Sequence, residues 1–332
     1  RGVWTGLASA PFLACADRRD REPRRIAGAL LGGPIVGLVA ALATMILVLA
    51  LYTLAVGLGG EGLEGLRKVA LSLRSASAPD LGFTTLELLV VVASNGAFAA
   101  AFVAVAAVLA RRPFHRCVTV ARKVRWRLLG VGLALSLLVA GPLVAMDRLL
   151  SGGSQIPPML AIGPRVFDRA GYALVTLLFI PAAAAEELIF RGWLPRQVAA
   201  FTRRPGLLIA LSAVAFSAIH LDFSPDGFLT RALMGAGFTY MTLRLGGIEF
   251  STGAHAINNV LIVLFVQPLN LTLHAPAAVA GVTAGSLVED VAMVAGYVAI
   301  TELAARVAPL QRWAGVLPEE LSPSSVAEPR FG

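Results

Sequence analysis

The sequence predicts an all-α, polytopic integral membrane protein with about eight transmembrane helices. Of the 332 residues, 57% are hydrophobic and only 14% are charged, whereas soluble domains average about 25% charged residues. The mean hydropathy is +0.77, and the charges are confined to short gaps between long apolar runs. This pattern is typical of helices that face lipid as well as each other.

The predicted spans follow from the length of helix that crosses the hydrocarbon core, about 20 largely apolar residues. Eight segments meet or approach this length: 27–57, 85–110, 127–146, 170–190, 206–221, 228–245, 252–268 and 284–304. Another segment, 61–74, has leucine and alanine at helical spacing with basic residues interleaved. It is predicted to be an amphipathic helix on the membrane surface.

The basic residues between the spans predict the orientation of the chain. They cluster at 18–25, 111–127 and 191–204, and loops of this kind mark the cytoplasmic side. With eight spans, both termini would lie in the cytoplasm, and the alanine-, arginine- and glycine-rich composition suggests a bacterial plasma membrane. The net charge of +8 is therefore attributed to topology and contact with membrane lipid, not to nucleic acid.

Ionisable and polar residues inside apolar spans indicate where function lies, because they are costly unless they face a protein interior or a wet cavity. Three such groups occur in three successive motifs. They are Glu186, Glu187 and Arg191; Phe216 and His220; and His255 and Asn259.

The spacing predicts different roles for the two adjacent glutamates. Glu187 and Arg191 are four residues apart with the acid first, the favourable order for an ion pair on one helical face. Glu186 is turned about 100° away from its neighbour on a helix. We therefore expect Arg191 to hold Glu187 and expect Glu186 to point into a cavity.

The helical hairpin that joins the first two motifs predicts that they lie at the same depth. Arg203, Arg204 and Pro205 mark a turn midway between Glu186 and His220. If the preceding helix continues to about residue 201, antiparallel packing brings these two side chains level. The helix that carries the third motif is predicted to start from the same, cytoplasmic side of the membrane. All three motifs would therefore converge just below the cytoplasmic surface.

One carboxylate, two imidazoles and a carboxamide suit hydrolysis of a carbonyl compound. Glu186 could act as the general base on a water molecule. His255 and Asn259 could donate hydrogen bonds to the tetrahedral oxyanion. His220 could hold the water or protonate the leaving amine, and Phe216 is expected to support His220 by packing.

The three motifs resemble those of the CAAX-protease and bacteriocin-processing family, also called CPBP or Abi, whose pattern is EExxxR, FxxxH and HxxxN on separate membrane helices. All three are complete and in order between about 170 and 270. The resemblance implies glutamate-dependent, intramembrane endopeptidase cleavage of a membrane-associated or leader peptide, or of a membrane protein. Composition and motifs together predict four regions: a basic cytoplasmic segment at 1–25, transmembrane helices and the amphipathic helix at 26–150, the catalytic membrane core at 151–306, and a polar tail at 307–332.

Two alternatives remain open from the sequence. Glu186, His220 and His255 could together bind zinc, with water as the fourth ligand, although the HExxH signature is absent and zinc is not favoured. The polar cluster could instead join helices in a non-catalytic scaffold, an immunity protein or a transporter. Nothing in the sequence indicates an oligomeric state or the identity of the substrate.

Overall fold

The computed structural model describes residues 3–14, 16, 18–58, 81–150, 156–161, 166–266 and 281–316. Across these ranges the chain is almost entirely helical, and its extended pairing is one isolated antiparallel bridge between Thr119 and Gly247. The predicted all-α membrane fold is therefore confirmed. The predicted amphipathic helix at 61–74 and the tail beyond residue 316 lie outside the described residues.

The helices are numbered here in chain order. They are α1 (Val3–Ala8), α2 (Pro23–Ala27), α3 (Gly33–Leu58), α4 (Leu81–Leu109), α5 (Trp126–Leu150), α6 (Pro158–Ala161), α7 (Val166–Thr176), α8 (Phe179–Glu187), α9 (Leu194–Ala199), α10 (Pro205–Ala218), α11 (Pro225–Leu245), α12 (Glu249–Leu261), α13 (Ala284–Arg306) and α14 (Ala308–Ala314). Three π-helical segments join or extend them, at Gly28–Gly32, Leu188–Trp193 and Ile262–Val266.

Not every predicted span is, in the described part of the chain, a helix long and apolar enough to cross a membrane. Within the described ranges, five runs are long and apolar enough: Pro23–Ala55, Thr85–Leu109, Trp126–Leu149, Val166–Ala199 and Glu249–Val266. A sixth is possible if α13 and α14, which meet at 86°, form one bent span. The described residues thus contain five or six of the about eight spans that the sequence predicts. The difference lies mainly in α10, which has only 14 residues, and in α11, which carries three charged side chains and packs largely inside the protein.

The helices pack around two hydrophobic clusters. α3 lies along α4, and α4 contacts α8. α12 packs between α5 and α8, while α11 lies between α10 and α13. Consequently, almost the whole first half of α12 is buried. By contrast, α3 leaves Leu38, Val39 and Ile46 exposed by 56%, 63% and 64%, as expected of a face that meets lipid.

Both terminal regions contribute to the core more than the sequence predicts. In the basic N-terminal segment, Phe12 and Leu13 are completely buried. The Arg196 guanidinium lies 3.6 Å above the centre of the Phe12 ring and donates from Nε to the Phe12 carbonyl at 3.0 Å. At the other end, α14 begins inside the region expected to be a polar tail and buries Ala314.

Two glycines allow α5 and α12 to touch along their backbones. A β-carbon added at Gly132 would lie 2.5 Å from the Phe250 carbonyl oxygen, and one added at Gly253 would lie 2.6 Å from the Leu133 nitrogen. Small residues at helix contacts permit this close approach in membrane proteins. The crossing fixes the position of α12, which carries the third motif.

We predict that Gly132→Ala lowers the free energy of unfolding by about 1–3 kcal/mol, because the new methyl group forces α5 away from α12. Gly130→Ala is the matched control. It lies two residues earlier in the same helix, where an added β-carbon meets nothing within 4 Å, and it should be neutral or stabilising by up to about 1 kcal/mol. Thermal unfolding in detergent measures both. Equal stability of the two variants would show that the crossing is not tight.

Candidate active site

The two glutamates end α8, within a helical run that continues through a π-helical turn to Ala199. The π turn, Leu188–Trp193, contains Arg191 and brings Gly192 against a neighbouring loop. A β-carbon on Gly192 would lie 2.5 Å from the Cys117 carbonyl oxygen. Such π turns occur frequently at functional sites because they widen the helix locally and redirect side chains.

Glu187 lies at the centre of a buried polar cluster. Its Oε1 atom is 3.1 Å from Arg191 Nη1, and neither side chain has any exposed surface. The same oxygen accepts a hydrogen bond from His255 Nδ1 at 3.0 Å. Arg191 Nη2 also donates to the Gly235 carbonyl at 3.3 Å. The ion pair expected between Glu187 and Arg191 therefore forms, and it additionally binds α11 and α12.

Glu186 has a different environment from its neighbour. Its side chain is 31% exposed, and its Oε2 atom lies 3.9 Å from His220 Nε2 and 3.7 Å from His255 Nε2. These separations exceed those of direct hydrogen bonds. They suit a water molecule that contacts the oxygen and both ring nitrogens.

His220 lies in the turn that follows α10, just beyond the end of the helix. Its Nδ1 atom is 2.8 Å from the Phe216 carbonyl oxygen. Because a carbonyl oxygen only accepts, Nδ1 carries a proton, and the other ring nitrogen, Nε2, faces Glu186. The next residue, Leu221, has a positive φ of 55°, which reverses the chain directly after the imidazole.

Aromatic rings enclose the two imidazoles. The edge of Phe216 contacts both rings, with centroid distances of 4.9 Å to His220 and 5.5 Å to His255. Phe238 stacks on His255 at 4.9 Å, and the Arg191 guanidinium lies 4.1 Å above Phe216. Phe216 thus supports both histidines, not His220 alone. Phe238 belongs to no motif, so the sequence analysis missed it.

Asn259 follows His255 by one turn of α12 and is half-buried. Residues four apart share a helical face, so its amide lies on the side of α12 that carries His255. Its role as an oxyanion donor stays a prediction.

Hydroxyl groups link the three helices that surround the site. Ser212 of α10 donates to the Phe190 carbonyl at 2.7 Å, and Thr239 of α11 lies 3.0 Å from the Ser212 oxygen. All of these groups are largely buried. Serine and threonine are common in apolar helices, so the sequence offered no signal for this network.

The turn after His220 is held by an ion pair near the protein surface. Arg231 Nη1 donates to Asp222 Oδ2 at 2.8 Å, and the Ser224 backbone nitrogen donates to Oδ1 at 3.1 Å. These hydrogen bonds, the one from Arg231 foremost, lower the pKa of the Asp222 carboxyl to about 2. The carboxylate therefore stays ionised at neutral pH and ties the turn to α11.

In the parts of the chain that the structure describes, no group of three or more His, Cys, Asp or Glu side chains is arranged to hold a metal ion. That zinc is not favoured stays a prediction from the sequence.

Comparison with known proteins relates the segment that contains this site to a recognised family. The sequence model of the family described as "Type II CAAX prenyl endopeptidase Rce1-like" matches residues 169–261. Because of this similarity, residues 169–261 are called the Rce1-like domain below. They contain all three motifs, and the resemblance noted from them is confirmed.

One curated relative matches part of the chain. The protein named "Uncharacterized protein YyaK" from Bacillus subtilis (strain 168) is 26% identical over 170 residues, which cover 48% of this chain and 54% of the relative. The chain thus spans about half the length of that relative. No solved structure matches the chain.

We predict that the two adjacent glutamates differ sharply in their effect on stability. Glu187→Gln should lower the free energy of unfolding by about 3–5 kcal/mol, because it leaves the buried Arg191 charge without its counterion. Glu186→Gln, at a side chain that is 31% exposed, should change it by less than about 1 kcal/mol. Thermal unfolding in detergent measures both. Similar losses for the two variants would contradict the assignment of Glu187 to the buried cluster.

Proposed function

We propose that the protein is an intramembrane endopeptidase in which Glu186 activates the water that attacks a peptide bond. The observation that carries this proposal is the position of Glu186 Oε2, 3.9 Å and 3.7 Å from the Nε2 atoms of His220 and His255. A carboxylate that is close to two imidazoles and partly open to solvent can hold a water and take its proton.

The proposed reaction uses residues of the chain alone. Glu186 removes a proton as the water oxygen bonds to the peptide carbonyl carbon, giving a tetrahedral oxyanion. Collapse of this intermediate breaks the carbon–nitrogen bond, and the proton passes from Glu186 through His220 to the leaving amine. The products are a carboxylic acid and an amine, so one water is consumed for each bond cleaved.

Stabilisation of the oxyanion is assigned to α12. The contact between His255 Nδ1 and the ionised Glu187 stabilises the ring when Nε2 is also protonated, as a carboxylate does for a catalytic imidazolium. His255 would then donate to the oxyanion, together with the amide of Asn259. Donors fixed in advance on one buried helix suit this role, because they need no rearrangement during the reaction.

The membrane setting and the family match support a substrate that is itself bound to the membrane. The family description names a CAAX prenyl endopeptidase, so a membrane-anchored chain end is a candidate, as is a leader peptide or a membrane protein. We expect the enzyme to act in a bacterial plasma membrane with both termini in the cytoplasm.

We predict that Glu186→Gln lowers turnover by about 10²–10⁴-fold, the usual contribution of a general base, while the protein stays folded. The substrate is found by adding the purified protein to bacterial membrane extract and identifying new peptide ends by mass spectrometry. Glu289→Gln, at an exposed carboxylate of α13, is the matched control and should cleave at the parent rate. Cleavage by Glu186→Gln at the parent rate would exclude the proposed role and favour a non-catalytic scaffold or transporter.

We also predict that cleavage continues after metal removal. The protein is purified with excess chelator, its zinc content is measured, and the rate is compared with and without added zinc. An unchanged rate with no bound zinc is expected from the metal-free mechanism. Loss of activity that zinc restores would replace it with a zinc site built on Glu186, His220 and His255.

A further inference from the structure

A loop outside the Rce1-like domain holds the start of the helix that carries His255. The loop comprises residues 117–125, between α4 and α5, and is called the brace below. The Val120 nitrogen donates to the Gly246 carbonyl at 3.0 Å, and the Ile248 nitrogen donates to the Val118 carbonyl at 2.9 Å. These bonds attach the brace to the turn between α11 and α12.

A buried ion pair reinforces this attachment at the first residue of α12. Arg125 Nε and Nη2 donate to the two carboxylate oxygens of Glu249 at 3.0 Å and 2.8 Å, and Arg125 Nη1 donates to the Leu245 carbonyl at 2.9 Å. The side chains are only 6% and 1% exposed. A two-point pair of this kind fixes both distance and orientation, which a single contact does not.

The other end of the brace lies against the helical run that carries the glutamates. The Cys117 carbonyl lies close to Gly192, where an added β-carbon would be 2.5 Å from the carbonyl oxygen. Gly192 lies in the π turn that follows Glu186. The brace therefore contacts both elements whose relative position sets the 3.7 Å separation between Glu186 and His255.

We propose that Arg125 and Glu249 are positioning residues that set the placement of His255 relative to Glu186. His255 lies six residues beyond Glu249, about 9 Å along the helix, so a small tilt at the ion pair shifts the imidazole. The inference rests on the proposed function of the site. It means that the catalytic geometry depends on residue Arg125, which lies outside the matched domain.

The test compares Arg125→Lys with Arg244→Lys in the 332-residue chain in detergent. Lysine keeps the charge but cannot make the two-point contact. Arg244 also forms a two-point ion pair, with Glu302, at 2.7 Å and 3.3 Å. This pair is more exposed, and it joins α11 to α13 rather than engaging α12. Hydrogen exchange of the α12 amides and the cleavage kinetics are measured for both variants, with Glu249→Gln as a second disruption of the Arg125 pair.

Arg125→Lys and Glu249→Gln should speed exchange in α12 and lower kcat at least about tenfold with KM changed less than about twofold, since small misplacements of catalytic groups cost this much. Arg244→Lys should leave the exchange rate of the α12 amides and kcat close to those of the parent. The peptide used is the one that the parent cleaves in a Glu186-dependent manner.

Unchanged exchange in α12 would overturn the inference whether or not the protein is a peptidase. Faster exchange with an unchanged kcat would also overturn it, because the ion pair would then be structural only. If the parent shows no Glu186-dependent cleavage, the proposed function fails, while the exchange measurement still tests whether Arg125 holds α12.

Discussion

A single buried carboxylate, that of Glu187, holds the site together. Moving an ionised carboxylate out of water is costly unless it is paired and hydrogen-bonded. Arg191 and His255 meet that requirement through one carboxylate oxygen. Because Arg191 also bonds the Gly235 carbonyl of α11, the charge is satisfied only when three helices are in register. The cluster therefore restricts how these three helices can pack, in addition to contributing two favourable contacts to Glu187.

The chemistry of Glu186 follows from this arrangement. Glu187 occupies the buried side of α8. Adjacent residues of a helix are about 100° apart, so Glu186 points to a different side, which is partly open. There Glu186 faces the Nε2 atoms of His220 and His255. The Nδ1 atoms of these rings already bond elsewhere, to the Phe216 carbonyl and to Glu187 respectively. The protein thus fixes the orientation of both rings and leaves their reactive nitrogens facing one oxygen.

Local features of this site were predictable from the sequence, and contacts between distant segments were not. The ion pair between Glu187 and Arg191 follows from helical spacing, and the hairpin turn at 203–205 correctly places Glu186 opposite His220. The bond between Glu187 and His255 joins residues far apart in the chain and depends on how α8 packs against α12, which no spacing reveals. The Arg125 contact and the stacking of Phe238 are missed for the same reason. Two of the predicted spans do not meet the criteria of length and composition, for different reasons. α10 has only 14 residues, and the apolar residues of α11 are mostly buried in the protein, which hydropathy does not distinguish from exposure to lipid.

The most direct test of the central claim is to follow the oxygen atom of the attacking water. A single turnover is run in water labelled with heavy oxygen. The account predicts that the label enters the new carboxyl group of the product and that Glu186 remains unlabelled. Mass spectrometry of the product and of the protein fragment that contains Glu186 measures both. Label in the Glu186 side chain after one turnover would contradict the account. It would mean that this carboxylate attacks the substrate itself instead of activating water.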